Sequence, residues 1–338
     1  MNKHRGWKTT AALLGAFVLI SGCGSPIDAA VNRLNGFKQE QQAFQTIAFG
    51  ERERTLAPGT SYFLALSGIT ASNQKVGLQP DQVSYAVSNS QIAQVDSHGR
   101  LTVSRQAKTG STAWVTATYK NRKAKLRIRV IVPLKDTIKI NHSGLAVVTN
   151  PADLTVVVNK HRNLPAYYVP SDLIQPNIPF VDQGDKEKKL MRKEAAHALE
   201  RLVQAAKKQN IHLVGISGYR SYARQKAIYE ANLQEKGKKR TSQFSACPGQ
   251  SEHQTGLAID ISSPTANLAL DESFGETKEG KWLAKHAADF GFIIRYPKGK
   301  TGITGYAYEP WHLRYVGKEI AEEIAEKGIT LEEYFQGK

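Results

Sequence analysis

The sequence predicts two domains, an all-β sandwich over residues 49–133 and an α+β domain over residues 153–338. Three observations carry this. Short runs rich in β-branched and aromatic residues, several alternating with period two, fill the first span. Turn signals built from Gly, Pro, Asp and Ser separate those runs. Beyond residue 152, helical faces and short strands mix irregularly, the pattern of an α+β domain. With 338 residues, 41% of them hydrophobic and 22% charged, the chain can build two cores of ordinary size.

Residues 1–22 read as an address. Lys3, Arg5 and Lys8 form a basic start, Ala11 to Ile20 a short apolar stretch, and Ser21-Gly22 a small-residue cleavage region before Cys23. The ending resembles a bacterial lipobox, which implies a lipid on Cys23 and a membrane anchor facing the cell wall; an ordinary secretory leader with an incidental cysteine is the alternative. The other cysteine is Cys247, so no disulfide framework is expected. No run is long enough for a membrane-spanning helix. The net charge of +16 falls to +13 once Lys3, Arg5 and Lys8 leave with the leader. A basic exported protein suits a polyanionic envelope. Its charges are spread along the chain without a nucleic-acid-binding signature, so no nucleic-acid partner is expected. A monomer is expected.

Residues 23–48 are polar and read as a tether. Strand candidates follow at Tyr62–Leu66, Val83–Val87, Ala113–Tyr119 and Lys125–Val130, with turns at Ala57-Pro58-Gly59, Asp96 to Gly99 and Lys108-Thr109-Gly110. Residues 134–152 read as a linker. In the second domain, Leu154–Lys160 and Ile211–Ile216 are strand candidates, and helices are predicted over 186–209, 222–234, 282–290 and 318–327. Leu257-Ala258-Ile259 reads as a buried strand that carries Asp260.

Chemistry concentrates in three segments. His253, Asp260 and His312 supply the two imidazoles and one carboxylate of a hydrolytic zinc site that keeps a position for water. Seven residues separate His253 from Asp260, an odd offset that a continuous strand would send to opposite faces; the turn at Gly256 can bring both to one metal. Taken alone, that pair reads sooner as a satisfied core histidine and a surface aspartate; the third ligand and Glu309 shift the balance. Glu309 lies three residues before His312, and Pro310 favours a bend that would direct both inward. A carboxylate there can act as general base. Arg220, in the turn Ser217 to Gln225, is available for a bidentate pair with a substrate carboxylate, and Gln225 and Ser251 can add polar contacts. An arginine before a helix is otherwise an ordinary surface charge. Cys247 reads as a small packing residue, not a ligand.

Two resemblances follow. Ser88 to Val103 with Thr112 to Tyr119 is similar to bacterial immunoglobulin-like domains of group two, implying an immunoglobulin-like sandwich with a positioning role. The motifs Ser217-Gly218-Tyr219-Arg220-Ser221, Ser251-Glu252-His253 through Asp260, and Glu309-Pro310-Trp311-His312 through Gly317 resemble zinc D-alanyl-D-alanine carboxypeptidases of the vancomycin-resistance type over roughly Asp153 to Phe335. The resemblance implies a small antiparallel sheet flanked by helices, zinc on His253, Asp260 and His312, Glu309 as base, and Arg220, Gln225 and Ser251 holding a terminal D-alanine of a peptidoglycan stem peptide. An endopeptidase acting on peptidoglycan and a non-catalytic surface-binding lipoprotein are the competing expectations.

Overall fold

The computed structural model describes residues 44–181 and 184–336. The leader, Cys23 and the tether up to residue 43 lie outside the described residues. Among the described residues, no helix is long and apolar enough to cross a membrane.

The N-terminal region is all-β. A four-stranded sheet, ordered Glu53–Leu56, Arg122–Val130, Thr112–Tyr119, Ser84–Val87, faces two three-stranded sheets. Alternation sets the faces: Ala113, Val115 and Ala117 point inward from one strand, Leu126 and Ile128 from its neighbour. Leu101 and Val103 close the core from the opposite sheet. Strands begin at Thr46, inside the expected tether. One pairing is parallel, Arg127–Val130 on Glu53–Leu56.

The expected linker is partly a hairpin. Ile138–Ile140 pairs with Ala146–Val148, and Val148 enters the core of the second domain. The two regions meet through the end of the long Arg122–Val130 strand. Ile131 packs among Val157, Ile293, Ile320 and Tyr334. Arg129, nearly buried, pairs with Glu323 and lies 5.0 Å from the Tyr334 ring centroid.

The second domain is α+β, as the sequence predicts. Its antiparallel sheet has the order Val214–Ser217, Ala258–Ser262, Glu309–Tyr315, Phe292–Tyr296. One face, with Leu257, Ile259, Ile261 and Leu313, packs against the buried stripe Ala195, Leu199, Leu202 and Ala206 of the Lys193–Lys208 helix. The other face carries the polar residues of the site.

Several predicted boundaries move, each for a reason that lies outside the local pattern. The first helix starts at Lys193, not near 186, because the carbonyls of Lys188 and Leu190 accept from the amides of Gly218 and Tyr219. Leu154–Lys160 is buried but is no strand. The Leu154 and Val156 carbonyls accept from Arg314, and that of Val157 from Arg162. The helix from Tyr222 runs on to Phe244, broken at Gly237, whose φ is +70°. The third helix is Lys278–His286 followed by a 3-10 turn, and the fourth is Lys318–Lys327 as predicted. A last helix, Leu331–Phe335, carries a capping box from Thr330 and Glu333.

Because Arg129 is nearly buried, Glu323→Ala should leave its charge to the more distant Glu53, 3.6 Å away, and lower stability by about 1–3 kcal/mol. A urea titration followed by tryptophan fluorescence would read this as an earlier midpoint; an unchanged midpoint would mean the junction contributes little.

Candidate active site and metal centre

Two adjacent strands and one short turn build the site. Asp260 and His312 are cross-strand partners at the centre of the sheet. His312 Nδ1 lies 2.9 Å from Asp260 Oδ1. His253 comes from the 3-10 turn Glu252–Thr255, which ends at Gly256 with φ +67°. The left-handed backbone there favours glycine, and a Cβ on Gly256 would sit 2.9 Å from Leu173 Cδ2 and push that side chain aside. The turn carries His253 back to Asp260, with Nε2 at 3.3 Å from Oδ2. One ligand atom from each of His253, Asp260 and His312 falls within 4.8 Å of the others.

Glu309 joins them through an irregularity in the sheet. Ile294 pairs with Leu313 while Tyr296 pairs with Glu309, so extra residues on the Glu309 strand form a bulge around Pro310. Glu309 and His312 therefore face the same pocket, with Oε2 4.0 Å from Nδ1. The pocket holds about 540 Å³. Arg220 stands on another part of its wall. Its guanidinium donates to Gln225 Oε1 at 3.0 Å and Ser217 Oγ at 3.3 Å, both neutral, and has no carboxylate within ion-pair distance among the described residues. Gln225 spends its amide on Arg220 and on the Ala246 carbonyl, so it braces the arginine. Ser251 lines the pocket, and its hydroxyl makes no helix-capping bond. Cys247 is a half-buried free thiol outside the three-ligand group.

The electrostatics suit a cation. Burial works against the Asp260 carboxylate, yet the two histidines hold its pKa well below the usual range. Burial lowers His253, with Asp260 opposing. Burial also works against charge on His312, but a hydrogen bond to Asp260 and the nearby Glu252 carboxylate lift it to about 9. Burial raises Glu309 to about 7, with His312 and Arg220 pulling down and Asp260 pushing up.

The structure brings together His253, Asp260, His312, Glu309, Arg220, Gln225 and Ser251 around one pocket, and Cys23 lies outside the described residues. Sequence reasoning missed a buried charge bank behind the histidines: Glu252, Arg295, Arg314 and Glu332. The available signal was an arginine in the middle of an apolar strand, Leu313-Arg314-Tyr315. It also missed Tyr306, whose buried hydroxyl lines the pocket without a hydrogen-bond partner among the described residues.

Comparison with known proteins fits this geometry. The family model described as VanY, D-alanyl-D-alanine carboxypeptidase, matches residues 188–318. The putative carboxypeptidase YodJ of Bacillus subtilis (strain 168) is 50% identical over 193 residues, 57% of this chain and 71% of that relative. The chain belongs to the D-alanyl-D-alanine carboxypeptidase family. The bifunctional D-Ala-D-Ala dipeptidase and D-Ala-D-Ala carboxypeptidase VanXYC of Enterococcus gallinarum is 37% identical over 181 residues, 53% of this family member and 91% of VanXYC. Among solved structures, the LdcB LD-carboxypeptidase is 49% identical with a TM-score of 0.57, covering 59% of this chain and 92% of that one. This member of the family is a peptidase, with an all-β region outside the matched segment.

Residues of this chemistry fit a divalent metal. The donor set is two imidazoles and a carboxylate, and the second nitrogen of each imidazole faces an acceptor: His253 Nδ1 lies 2.8 Å from the Gly218 carbonyl, and His312 Nε2 lies 3.6 Å from Glu252 Oε2. A metal must displace the proton that His312 otherwise holds up to about 9. Calorimetry in buffers of different ionisation enthalpy should therefore find about one proton released at pH 7, and apparent affinity rising with pH below 9 by about tenfold per unit. No proton release would contradict the site's protonation.

Proposed function

We propose that the protein is a zinc carboxypeptidase that removes the C-terminal D-alanine from peptidoglycan stem peptides, cut at a D,D or an L,D bond. We further propose that it acts at the cell envelope after export, anchored by a lipid on Cys23. The reading rests on one observation: the three metal donors, Glu309 and an Arg220 with no carboxylate partner among the described residues line one pocket.

His253, Asp260 and His312 would hold the zinc. Such an ion, when bound, supplies Lewis-acid activation of water and of a peptide carbonyl. Glu309 takes the proton of the attacking water, and a carboxylate with pKa near 7 is matched to that task at neutral pH. It then returns the proton to the leaving amine. Arg220, braced by Gln225, faces the α-carboxylate of the terminal residue, with Ser251 as a further donor. A requirement for a free terminal carboxylate is what separates this enzyme from an endopeptidase. The proposed division of the chain is a leader over 1–22, a tether over 23–48, an immunoglobulin-like sandwich over 49–133 that positions the enzyme, and a linker over 134–152 whose hairpin already joins the catalytic domain that follows.

Glu309→Gln should keep zinc and lower kcat by about a hundredfold to ten-thousandfold on a defined pentapeptide or tetrapeptide stem. Wild-type kcat/KM should rise with pH through an acid limb at or below about 7, because the base works only when ionised. Retained activity in the variant would remove Glu309 from the reaction.

Arg220→Ala should lower kcat/KM by about 10–100-fold on stems ending in a free carboxylate. The same stems with an amidated C-terminus should be poor substrates for the wild type and lose little more in the variant. Equal cleavage of acid and amide by the wild type would favour an endopeptidase.

A further inference from the structure

We infer that Glu252 is a positioning residue for His312, and that Arg295, Arg314 and, from the last helix, Glu332 hold it on station. The inference rests on the proposed zinc site and assigns a role to residues that the proposed reaction does not use.

Glu252 precedes His253 on the same 3-10 turn, but its side chain is fully buried behind the histidines. Its two oxygens do different work. Oε1 accepts from Arg295 Nε and from Arg314 Nη1, each at 2.7 Å. Oε2 has no hydrogen-bond partner among the described residues, and neither has His312 Nε2, yet the two lie 3.6 Å apart in a space that is closed to solvent. A proton on Nε2 points at Oε2 and gives each atom a partner once the pair closes by a few tenths of an ångström. Once a metal has displaced the proton shared by Nδ1 and Asp260 Oδ1, the Nδ1 lone pair is left for the ion. Glu252 thus selects the tautomer in which His312 offers Nδ1 to a metal, and makes that nitrogen a stronger donor.

The surroundings show what keeps Glu252 there. Arg314 is tied to the carbonyls of Leu154, Val156 and Tyr315, at 2.9, 2.7 and 3.0 Å. Arg295 is gripped by Glu332, with Nη1 at 2.9 Å from Oε2 and Nη2 at 2.6 Å from Oε1. Asn159 Nδ2 donates to the same Oε1 at 3.1 Å. Two arginines so close to a cation site would repel its occupant; Glu252 and Glu332 cancel them. Glu332 lies beyond the segment 188–318 that the family model matches, so the C-terminal helix takes part in setting up the metal site.

The test compares zinc affinity, by competition with a chromophoric chelator, in the wild type, Glu252→Gln and Glu332→Gln, with near-ultraviolet circular dichroism as the check on folding. Glu252→Gln should weaken zinc by about 10–100-fold, and Glu332→Gln should weaken it less. A folded Glu252→Gln that binds zinc within twofold of the wild type would overturn the inference and leave the proposed function standing. No zinc bound by the wild type would overturn both. Should Glu252→Gln not fold, nitrogen-15 spectra of the zinc-loaded wild type decide: a proton on His312 Nε2 supports the role of Glu252, and a proton on Nδ1 overturns it.

Discussion

The pairing of Asp260 with His312 across two central strands is the constraint on which the rest of the site depends. Side chains alternate along a strand, so a slip of one residue would turn either group into the apolar core. The register is guarded from the opposite face. Leu257, Ile259, Ile261 and Leu313 are all fully buried against the Lys193–Lys208 helix. Their burial and the placement of the ligands are one event: the strands cannot bury the first set without presenting the second.

The presented set is costly to hold. Two histidines, Asp260, Glu252 and two arginines are buried in one small volume. Buried charges survive when paired and hydrogen-bonded, and here each arginine faces a carboxylate and nearby backbone carbonyls take up part of the remaining donor capacity. Such a network contributes little net stability. What it supplies is a single arrangement of the imidazoles, each with its outer nitrogen turned to an acceptor. The long Arg122–Val130 strand carries the all-β region to the same domain, where Ile131 enters a buried cluster and Arg129 meets Glu323 and Tyr334.

The legible parts of the sequence were those whose signal is local. Alternation in Thr112–Tyr119 and in the long strand after it gave the sandwich, and the Lys318–Lys327 helix was placed to the residue. Residue types, together with the motifs that carry the family resemblance, nominated His253, Asp260, Glu309 and His312, and the bends that unite them were readable at Gly256 and Pro310. The misjudged parts depend on partners far along the chain. Leu154–Lys160 has a strand's composition, but Arg314 and Arg162 take its carbonyls and no ladder forms. Residues 186–192 continue a helical pattern, but the loop at Gly218 and Tyr219 claims their backbone. Glu252 drew no role from the sequence, because nothing local reveals that two arginines some forty and sixty residues on will converge on it.

The central claim is that His253, Asp260 and His312 form one metal site open to the pocket that Glu309 and Arg220 line. Anomalous diffraction at the zinc absorption edge, on crystals grown with one equivalent of zinc, tests it most directly. The account predicts a single strong peak bound by those three side chains, with a coordination position facing the pocket. A peak elsewhere, or an ion enclosed by four protein ligands, would contradict it.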